Sequence, residues 1–325
     1  MEPERPVAGV DYPASFEQFE AWFATEAACR RYLARLRWPS GFVCPRCQAP
    51  RASWTTSRGL WHCRACQGQT SVTAGTVFEG TRKPLRQWFL AMWFVTSQKH
   101  GASALGLQRV LGLGSYQTAW TWLHKLRRAM VRPGRDRLSG DVEVDETYVG
   151  GPEQGVAGRQ TESKCIVAIA AEVRGKATGR IRMRRVRDVS AESLEPFVQE
   201  AVAPGARVRT DGWKGYNGLK ALGYRHRPKV IQGGRRTASE VMPRVHKAAS
   251  LLKRWLMGTL HGGVQPQHLD DYLDEFTFRF NRRTSRSRGL LFHRLVQQTV
   301  AADPVPYRSL VGGGRRPRPQ PVGGT

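Results

Sequence analysis

The sequence has few acidic residues and no long hydrophobic run. Its 325 residues contain 26 Asp and Glu against 52 Lys and Arg, which gives a formal net charge of +26. An imbalance of that size predicts a polyanionic partner such as nucleic acid. The longest apolar run, Trp88 to Val95, is shorter than the roughly 18 residues of a membrane helix, and the N-terminus lacks a signal-peptide core. We therefore expect a soluble, cytoplasmic, nucleoid-associated protein without a membrane partner.

Cysteine is also scarce, and its spacing argues against a disulfide scaffold. Four of the six cysteines form two pairs, Cys44-x2-Cys47 and Cys63-x2-Cys66, with 15 residues between the pairs. Two such pairs can arrange four thiolates as a tetrahedron around one Zn²⁺. The alternative is four unrelated thiols in a reducing cell. We predict a structural zinc site, because four thiolates leave no coordination position for a substrate.

Periodicity divides the chain into segments of different type. Residues 14–80 combine helical spacing with a stretch rich in Gly, Thr, Ser and Cys, which predicts helices and then a small ribbon of strands. The spacing predicts further helices over residues 83–131. For residues 139–300 the pattern predicts three strands, a helix and a fourth strand at the start of the segment. We expect a multidomain α+β protein whose basic end, residues 303–325, is disordered.

The second helical region contains a helix, a glycine turn and another helix. The turn is Gly112-Leu-Gly114, and Ser115 is placed to cap the second helix. This pattern is typical of a helix-turn-helix, although an ordinary helical connector has similar apolar spacing. In the first interpretation the second helix reads the DNA major groove. Its outward side chains, and thus the candidate DNA contacts, are Tyr116, Gln117, Thr118, Thr121 and Lys125, while Ala119, Trp122, Leu123 and Leu126 pack inward.

Two aspartates stand at or near the ends of predicted strands. Strand alternation places Glu143 and Asp145 on one face, and Asp211 ends another strand just before a glycine. A carboxylate at a strand end is typical of an α/β active site, whereas a single Asp-Gly pair is more often a turn. A third strand carries Arg182 and Arg184 on one face, which predicts contacts with a phosphate backbone.

Taken together, these segments resemble the DDE-type transposases of bacterial insertion sequences in the IS1595, or ISXO-like, family. The resemblance covers roughly residues 14–300 in order. The matching segments are Cys29-x2-Tyr-Leu33, Arg37-Trp-Pro-Ser-Gly-Phe-Val-Cys-Pro-Arg-Cys47, Ser115-Tyr-Gln-Thr-Ala-Trp120, Val144-Asp-Glu-Thr-Tyr-Val-Gly-Gly151, Thr210-Asp-Gly-Trp-Lys-Gly-Tyr216, Val245-His246, Leu252-Lys-Arg-Trp-Leu-Met-Gly-Thr259, His268-Leu-x2-Tyr-Leu-x-Glu-Phe276 and Arg279-Phe-Asn-Arg-Arg283.

The resemblance implies a zinc ribbon and a helix-turn-helix, followed by an α/β RNase H-like catalytic domain. It further implies a protein that binds the terminal inverted repeats of its own element as double-stranded DNA, and forms a homo-oligomer there. The implied reaction is metal-dependent cleavage of the DNA ends and their transfer to a target. Asp145 and Asp211 correspond to two of the residues that hold catalytic Mg²⁺ or Mn²⁺.

The third catalytic position departs from the family pattern. The resemblance implies Glu or Asn seven residues before a basic residue on one helix face, and here His246 precedes Lys253. The implied catalytic residues are thus Asp145, Asp211, His246 and Lys253. An imidazole ligand favours Mn²⁺ over Mg²⁺. Four other side chains are candidates for the third ligand: Glu146, Glu240, Glu275 and Asn281.

Two classes of function remain open from the sequence. One is the transposase, and the other is a non-catalytic zinc-ribbon DNA-binding regulator or an inactivated transposase copy. A regulator has no need to hold Asp145 and Asp211 against DNA, where carboxylates repel phosphate unless a cation intervenes. That argument favours the enzyme.

Overall fold

The helices and strands follow the order that the sequence predicts. A computed structural model describes residues 5–50, 53–132, 134–151, 164–229 and 237–312. Its α-helices are α1 (Phe16–Trp22), α2 (Glu26–Arg37), α3 (Leu85–Ser97), α4 (Ala104–Leu111), α5 (Tyr116–Ala129), α6 (Ala191–Ala201), α7 (Ala238–Val241), α8 (Pro243–Leu260), α9 (Leu269–Asn281), α10 (Arg288–Ala301) and α11 (Tyr307–Val311). Its strands are β1 (Ser53–Thr55), β2 (Trp61–Cys63), β3 (Gln69–Thr70), β4 (Asp141–Val149), β5 (Cys165–Arg174), β6 (Ala177–Val186), β7 (Arg207–Thr210) and β8 (Arg225–Pro228). Short 3₁₀ helices span Lys214–Lys220 and Pro266–His268.

The described residues form two compact units. The first contains residues 5–132 and 284–312, and the second contains residues 134–283. The predicted domain of residues 139–300 is therefore too long at its C-terminal end, because α10 packs against α2 and α3 of the first unit. Part of the predicted disordered end is helix α11, in which Leu310 is buried. Residues 313–325 of that predicted tail lie outside the described residues.

The core of the first unit is largely aromatic. Helices α1 and α2 begin at Ser15 and Thr25, whose hydroxyls accept hydrogen bonds from the backbone of the first turn. The ring of Phe23 lies 4.8 Å from that of Phe89 on α3, and Phe292 on α10 lies 5.6 Å from Phe89. Since α10 supplies a central ring, the chain returns to this unit after the second one. No helix among the described residues is long and apolar enough to cross a bilayer.

The second unit is a mixed five-stranded sheet with helices on both faces. The strand order is β6-β5-β4-β7-β8, in which β4 is antiparallel to β5 and parallel to β7. One face packs against α6 and the 3₁₀ helix that follows β7, and the other packs against α8 and α9. Val142 and Val144 of β4 lie in the α6 core. Alternation therefore directs Glu143 and Asp145 toward α8. The mixed helix and sheet content agrees with the predicted α+β class.

Candidate functional site

The four paired cysteines converge in the ribbon of the first unit. Their sulfur atoms all lie within 4.8 Å of one another. The Cys44 and Cys66 sulfurs are 3.6 Å apart, and those of Cys47 and Cys63 are 3.7 Å apart. A tetrahedron with Zn–S bonds of about 2.3 Å has edges of about 3.8 Å. The four thiolates therefore fit one zinc ion.

Both cysteine turns have the same local geometry. Gln48 and Gln67, which follow the second cysteine of each pair, have left-handed φ angles of 60° and 57°. Their side-chain amides donate back to the carbonyls of Pro45 and Arg64. These bonds close each turn and direct its two sulfurs to one point. Beside this centre, His62 stacks on an indole ring instead of joining the sulfur cluster.

The candidate DNA-reading helix is α5. Ala119, Trp122, Leu123 and Leu126 are buried, as the apolar spacing predicts. Of the side chains expected to face outward, Tyr116 and Gln117 are exposed and the others are half-buried: Thr118, Thr121 and Lys125. Burial lowers the pKa of Lys125. Ser115 occupies the N-cap position, but its side chain makes no capping hydrogen bond. The chain turns between α4 and α5 at Gly112, which has a left-handed φ of 59°.

Sequence reasoning missed a neighbour of α5. The side-chain amide of Gln117 donates a hydrogen bond to the Tyr307 hydroxyl of α11. The contact places α11 beside the N-terminal end of α5, where a recognition helix contacts base edges. The only signal in the sequence was the spacing of Tyr307, Leu310 and Val311 within an otherwise Pro-, Gly- and Arg-rich end.

The two arginines predicted to follow a phosphate backbone are bound within the second unit. Arg182 is buried and donates hydrogen bonds to the carbonyls of Ile181 and Asp136. Burial lowers its pKa to about 9. Arg184 donates to the Glu200 carboxylate of α6 and lies over the Phe197 ring. This placement differs from the predicted open row, because both residues share the sheet face that α6 covers.

Of the two candidate catalytic aspartates, Asp145 lies in β4 and Asp211 directly follows β7, the parallel neighbour of β4. Val142 pairs with Val208 and Glu143 with Arg209, so continuing this register places Asp145 beside Asp211. Neighbouring positions of parallel strands direct their side chains to the same face. Both carboxylates therefore belong to the face of the sheet that α8 covers. The sequence predicted the strand positions but could not show that these strands are neighbours.

The turn after Asp211 explains the residues of the Asp-Gly-Trp-Lys-Gly-Tyr segment. The backbone N–H of Trp213 donates to Asp211 Oδ1 over 3.0 Å, and Gly212 has a left-handed φ of 86°. The Trp213 indole donates to the Val189 carbonyl over 2.7 Å. A Cβ on Gly215 would lie 2.5 Å from that same carbonyl oxygen, so only glycine fits there. The segment thus fixes the position of the Asp211 carboxylate.

Tyr216, the last residue of this segment, forms a hydrogen bond with β4, the strand that bears Asp145. Its hydroxyl donates to Glu146 Oε2 over 3.0 Å, and the ring is fully buried. Burial, and then the negative charges of Glu146 and Asp145, raise the pKa of Tyr216 well above its usual value. The phenol therefore stays protonated and acts as a donor. This link between the two aspartate-bearing elements was not predicted, although both residues lie in segments that carried the family resemblance.

Glu143 attaches helix α8 to the strand that carries Asp145. Its Oε2 accepts hydrogen bonds from the backbone N–H groups of Arg244 (2.7 Å) and Val245 (3.0 Å) in the first turn of α8. These N–H groups have no partner within a helix, and the N-terminus of a helix favours a negative charge. Glu143 is 1% exposed, and burial raises its pKa. One carboxylate thus sets the distance between β4 and the next residue of α8, His246.

The side chain of His246 lies against that of Asp145. Its Nε2 is 3.4 Å from Asp145 Oδ2, and this nitrogen has no hydrogen-bond partner among the described residues. Burial lowers the pKa of His246, and the nearby Asp211 charge opposes that shift. The imidazole is therefore biased toward its neutral form, which is the form that binds metals.

The donor set suits divalent metal ions. Two oxygens or nitrogens on one octahedral ion, each about 2.1 Å from it, lie about 3 Å apart, and the Asp145–His246 separation is close to that. Among the described residues, the donor atoms of Asp145, Asp211 and His246 are not all within 4.8 Å of one another, unlike the four sulfurs. Asp145, Asp211 and His246 would therefore hold divalent ions as a wider set, in which Asp145 and His246 are close enough to share one ion.

The other candidates for the third ligand have different partners. Glu240 of α7 accepts a hydrogen bond from the backbone N–H of Thr237, the residue before that helix, and α7 ends before α8 begins at Pro243. Buried Glu275 pairs with Arg279, and the Asn281 amide bonds the backbone of β6 at Ile181. Glu146 is the Tyr216 partner described above. Lys253 is exposed on α8, seven residues after His246.

Models of two transposase domain families match this chain. The model of an ISXO2-like transposase domain matches residues 137–281, and that of a transposase zinc-ribbon domain matches residues 24–69. The two matches together cover more than half of the chain. The first one ends close to Arg283, where the second unit ends. A protein of Halobacterium salinarum, described as an uncharacterized protein in transposable element ISH50, is 28% identical over 301 residues, covering 86% of this chain and 98% of that protein.

Proposed function

Because the chain belongs to the IS1595 family of transposases, we propose that it binds the terminal inverted repeats of its insertion sequence and catalyses metal-dependent DNA strand cleavage and strand transfer. The observation that carries the proposal is the position of His246, 3.4 Å from Asp145 and on the sheet face that Asp145 and Asp211 share. We assign an RNase H-like catalytic domain to the second unit and a helix-turn-helix to α4 and α5.

In this proposal the chain's own residues position the reacting groups. Asp145, Asp211 and His246 would hold Mg²⁺ or Mn²⁺. Bound ions would activate a water or a 3′-hydroxyl and neutralise charge on the leaving oxygen. Glu143 holds α8 against β4, and Tyr216 holds the Asp211 turn against the same strand. The proposed metal ligands are thus held in place by two hydrogen-bonded links before DNA binds. This lowers the reorganisation free energy needed to reach the transition state.

The remaining parts of the chain supply DNA binding. We assign base reading to the exposed end of α5, at Tyr116 and Gln117, and include Tyr307 of α11 in that surface. Lys125 has a half-buried side chain, which suits a contact close to the helix rather than one deep in the groove. The net charge of +26 would draw the chain to DNA of any sequence, and base contacts would then select the element end.

The proposal is tested by changing each aspartate to asparagine. Asp145→Asn and Asp211→Asn should each abolish cleavage of a duplex carrying the element end, in Mg²⁺ or Mn²⁺, because a neutral amide is a poor ligand for a hard cation. Binding of the same duplex without metal should be unchanged or stronger, since a charge that repels phosphate is removed.

Glu192→Gln is the matched control, because it removes an exposed carboxylate from α6, which packs on the opposite face of the sheet. It should cleave like the wild type. Cleavage by either asparagine variant at the rate of this control would exclude the assigned metal ligands. Wild-type protein that binds the element end specifically but never cuts it would instead identify a regulator or an inactivated copy.

A further inference from the structure

The outer face of the zinc-ribbon sheet carries an exposed aromatic group that the reaction proposed above does not use. Trp54, His62 and Gln69 are paired across β1, β2 and β3, so their side chains share one face. The rings of Trp54 and His62 stack with centroids 4.0 Å apart, and Trp54 is 43% exposed. The opposite face carries Trp61, which packs on Trp38. The ribbon core thus lies on the Trp61 face of the sheet, and Trp54 is not part of that core.

Two arginines flank this indole. The Arg64 guanidinium lies 5.8 Å from the centre of the Trp54 ring, and Arg58 donates a hydrogen bond to Gln69 Oε1 over 3.1 Å. Both arginine side chains are exposed. The surrounding sequence carries charge of one sign only. Between Glu26 and Glu79 it contains arginines but no Asp, Glu or Lys. No carboxylate of this segment is available to neutralise the face.

We propose that this ribbon face, formed by Trp54, Arg58, His62, Arg64 and Gln69, docks on the backbone of duplex DNA beside the sequence read by α5. The inference rests on the proposed function and assigns it a second contact surface. Guanidinium groups suit phosphate oxygens, and an indole offers an N–H donor and a flat apolar ring for the adjoining sugar. A single exposed ring flanked by positive charge matches a polyanion better than it matches an apolar protein surface.

The test measures the affinity of full-length protein for a duplex carrying the element end over a range of salt concentrations. Arg58→Gln and Arg64→Gln should each reduce the slope of log K against log salt by about 0.9, the value for one lost phosphate contact. Trp54→Ala should raise Kd several-fold and leave the slope unchanged, because indole is neutral. Zinc content is measured for every variant.

Arg187→Gln is the matched control, since it removes one exposed charge already paired with Asp188 over 2.7 Å. Arginine variants with the slope of this control would overturn the inference and leave the proposed function standing. Loss of zinc in either variant would also overturn it, because the arginines would then serve to neutralise the thiolates. Wild-type protein without affinity for the duplex would overturn this inference and the proposed function together.

Discussion

His246 replaces a residue that the family resemblance leads one to expect as Glu or Asn, and its surroundings suit a metal ligand. The neutral imidazole is favoured by burial, and its unpartnered Nε2 faces Asp145. A surface or packing histidine would instead be hydrated or bonded to a neighbouring backbone group. Since imidazole prefers Mn²⁺ to Mg²⁺, the substitution suggests a change in metal preference rather than loss of the site.

Replacement of His246 separates these alternatives. His246→Ala should reduce cleavage by more than about 100-fold, the upper end for loss of an outer-shell partner. His246→Glu should retain cleavage and shift its preference from Mn²⁺ toward Mg²⁺, because a hard carboxylate then stands at the same helix position. Cleavage rates are measured in each metal. His261→Asn, at the other end of α8, is the control and should behave as wild type; full cleavage by His246→Ala would remove His246 from the site.

Another histidine makes the first unit sensitive to acid. His293 is buried with its Nδ1 2.7 Å from the Tyr32 hydroxyl, and burial lowers its pKa to about 4. An unfolded chain binds a proton at this residue near pH 6.5, whereas the folded chain does not. The contribution of His293 to stability is therefore constant above that pH and falls from about pH 6.5 to pH 4. The loss is at most about 3 kcal/mol.

The measurement for this prediction is the unfolding free energy at a series of pH values. His293→Asn keeps a polar atom at the Nδ1 position but cannot be protonated, so its stability should fall less over that interval. Its constant packing cost does not change with pH and so does not enter the comparison. Equal pH dependence in both proteins would assign the acid sensitivity to other groups.

Among the elements, β4 and α8 form the scaffold of the candidate site, and Glu143 joins them. The sequence predicted that Glu143 and Asp145 share a face of β4, because alternation is a local property. It did not predict that Glu143 would bond the first turn of α8, which lies about a hundred residues further along the chain. The same limit applies to the Tyr216–Glu146 hydrogen bond and to α10, whose place in the first unit depends on long-range aromatic packing.

Removal of the Glu143 carboxylate should therefore affect both stability and metal use. Glu143→Ala leaves two N–H groups of α8 without a partner in a buried position, at a cost of about 2 kcal/mol or more in unfolding free energy. It should also raise the Mn²⁺ concentration needed for half-maximal cleavage, with recovery at excess Mn²⁺, because His246 is no longer held near Asp145.

Glu143→Gln keeps one acceptor oxygen for those N–H groups and should fall between wild type and Glu143→Ala in both measurements. Destabilisation without a change in the Mn²⁺ requirement would assign Glu143 a purely structural role. A raised Mn²⁺ requirement in Glu143→Ala but not in Glu143→Gln would assign the effect to the hydrogen bonds rather than to the charge.

At the scale of the whole molecule, the chain forms one unit, then a second, and then returns to the first. Composition and charge predicted DNA as the partner but could not predict this path. Each unit has its own core, and within the part of the chain that the structure describes neither apolar core of the second unit includes a ribbon residue. Damage to the ribbon should therefore stay within the first unit, which makes the contribution of zinc measurable while the second unit stays folded.

Zinc removal tests this independence. The buried ribbon core consists of little more than Phe42, Cys44 and Cys63, with Trp38 and Trp61 packed against it, so metal binding must supply much of its folding free energy. Wild-type protein should contain one zinc per chain and Cys63→Ser none, while Cys165→Ser, outside the cluster, retains it. Hydrogen exchange in Cys63→Ser should become faster across residues 39–80 and stay unchanged in residues 134–283. Zinc-free wild-type protein with a protected ribbon would contradict the metal site, and faster exchange throughout the second unit would show that the two units do not fold independently.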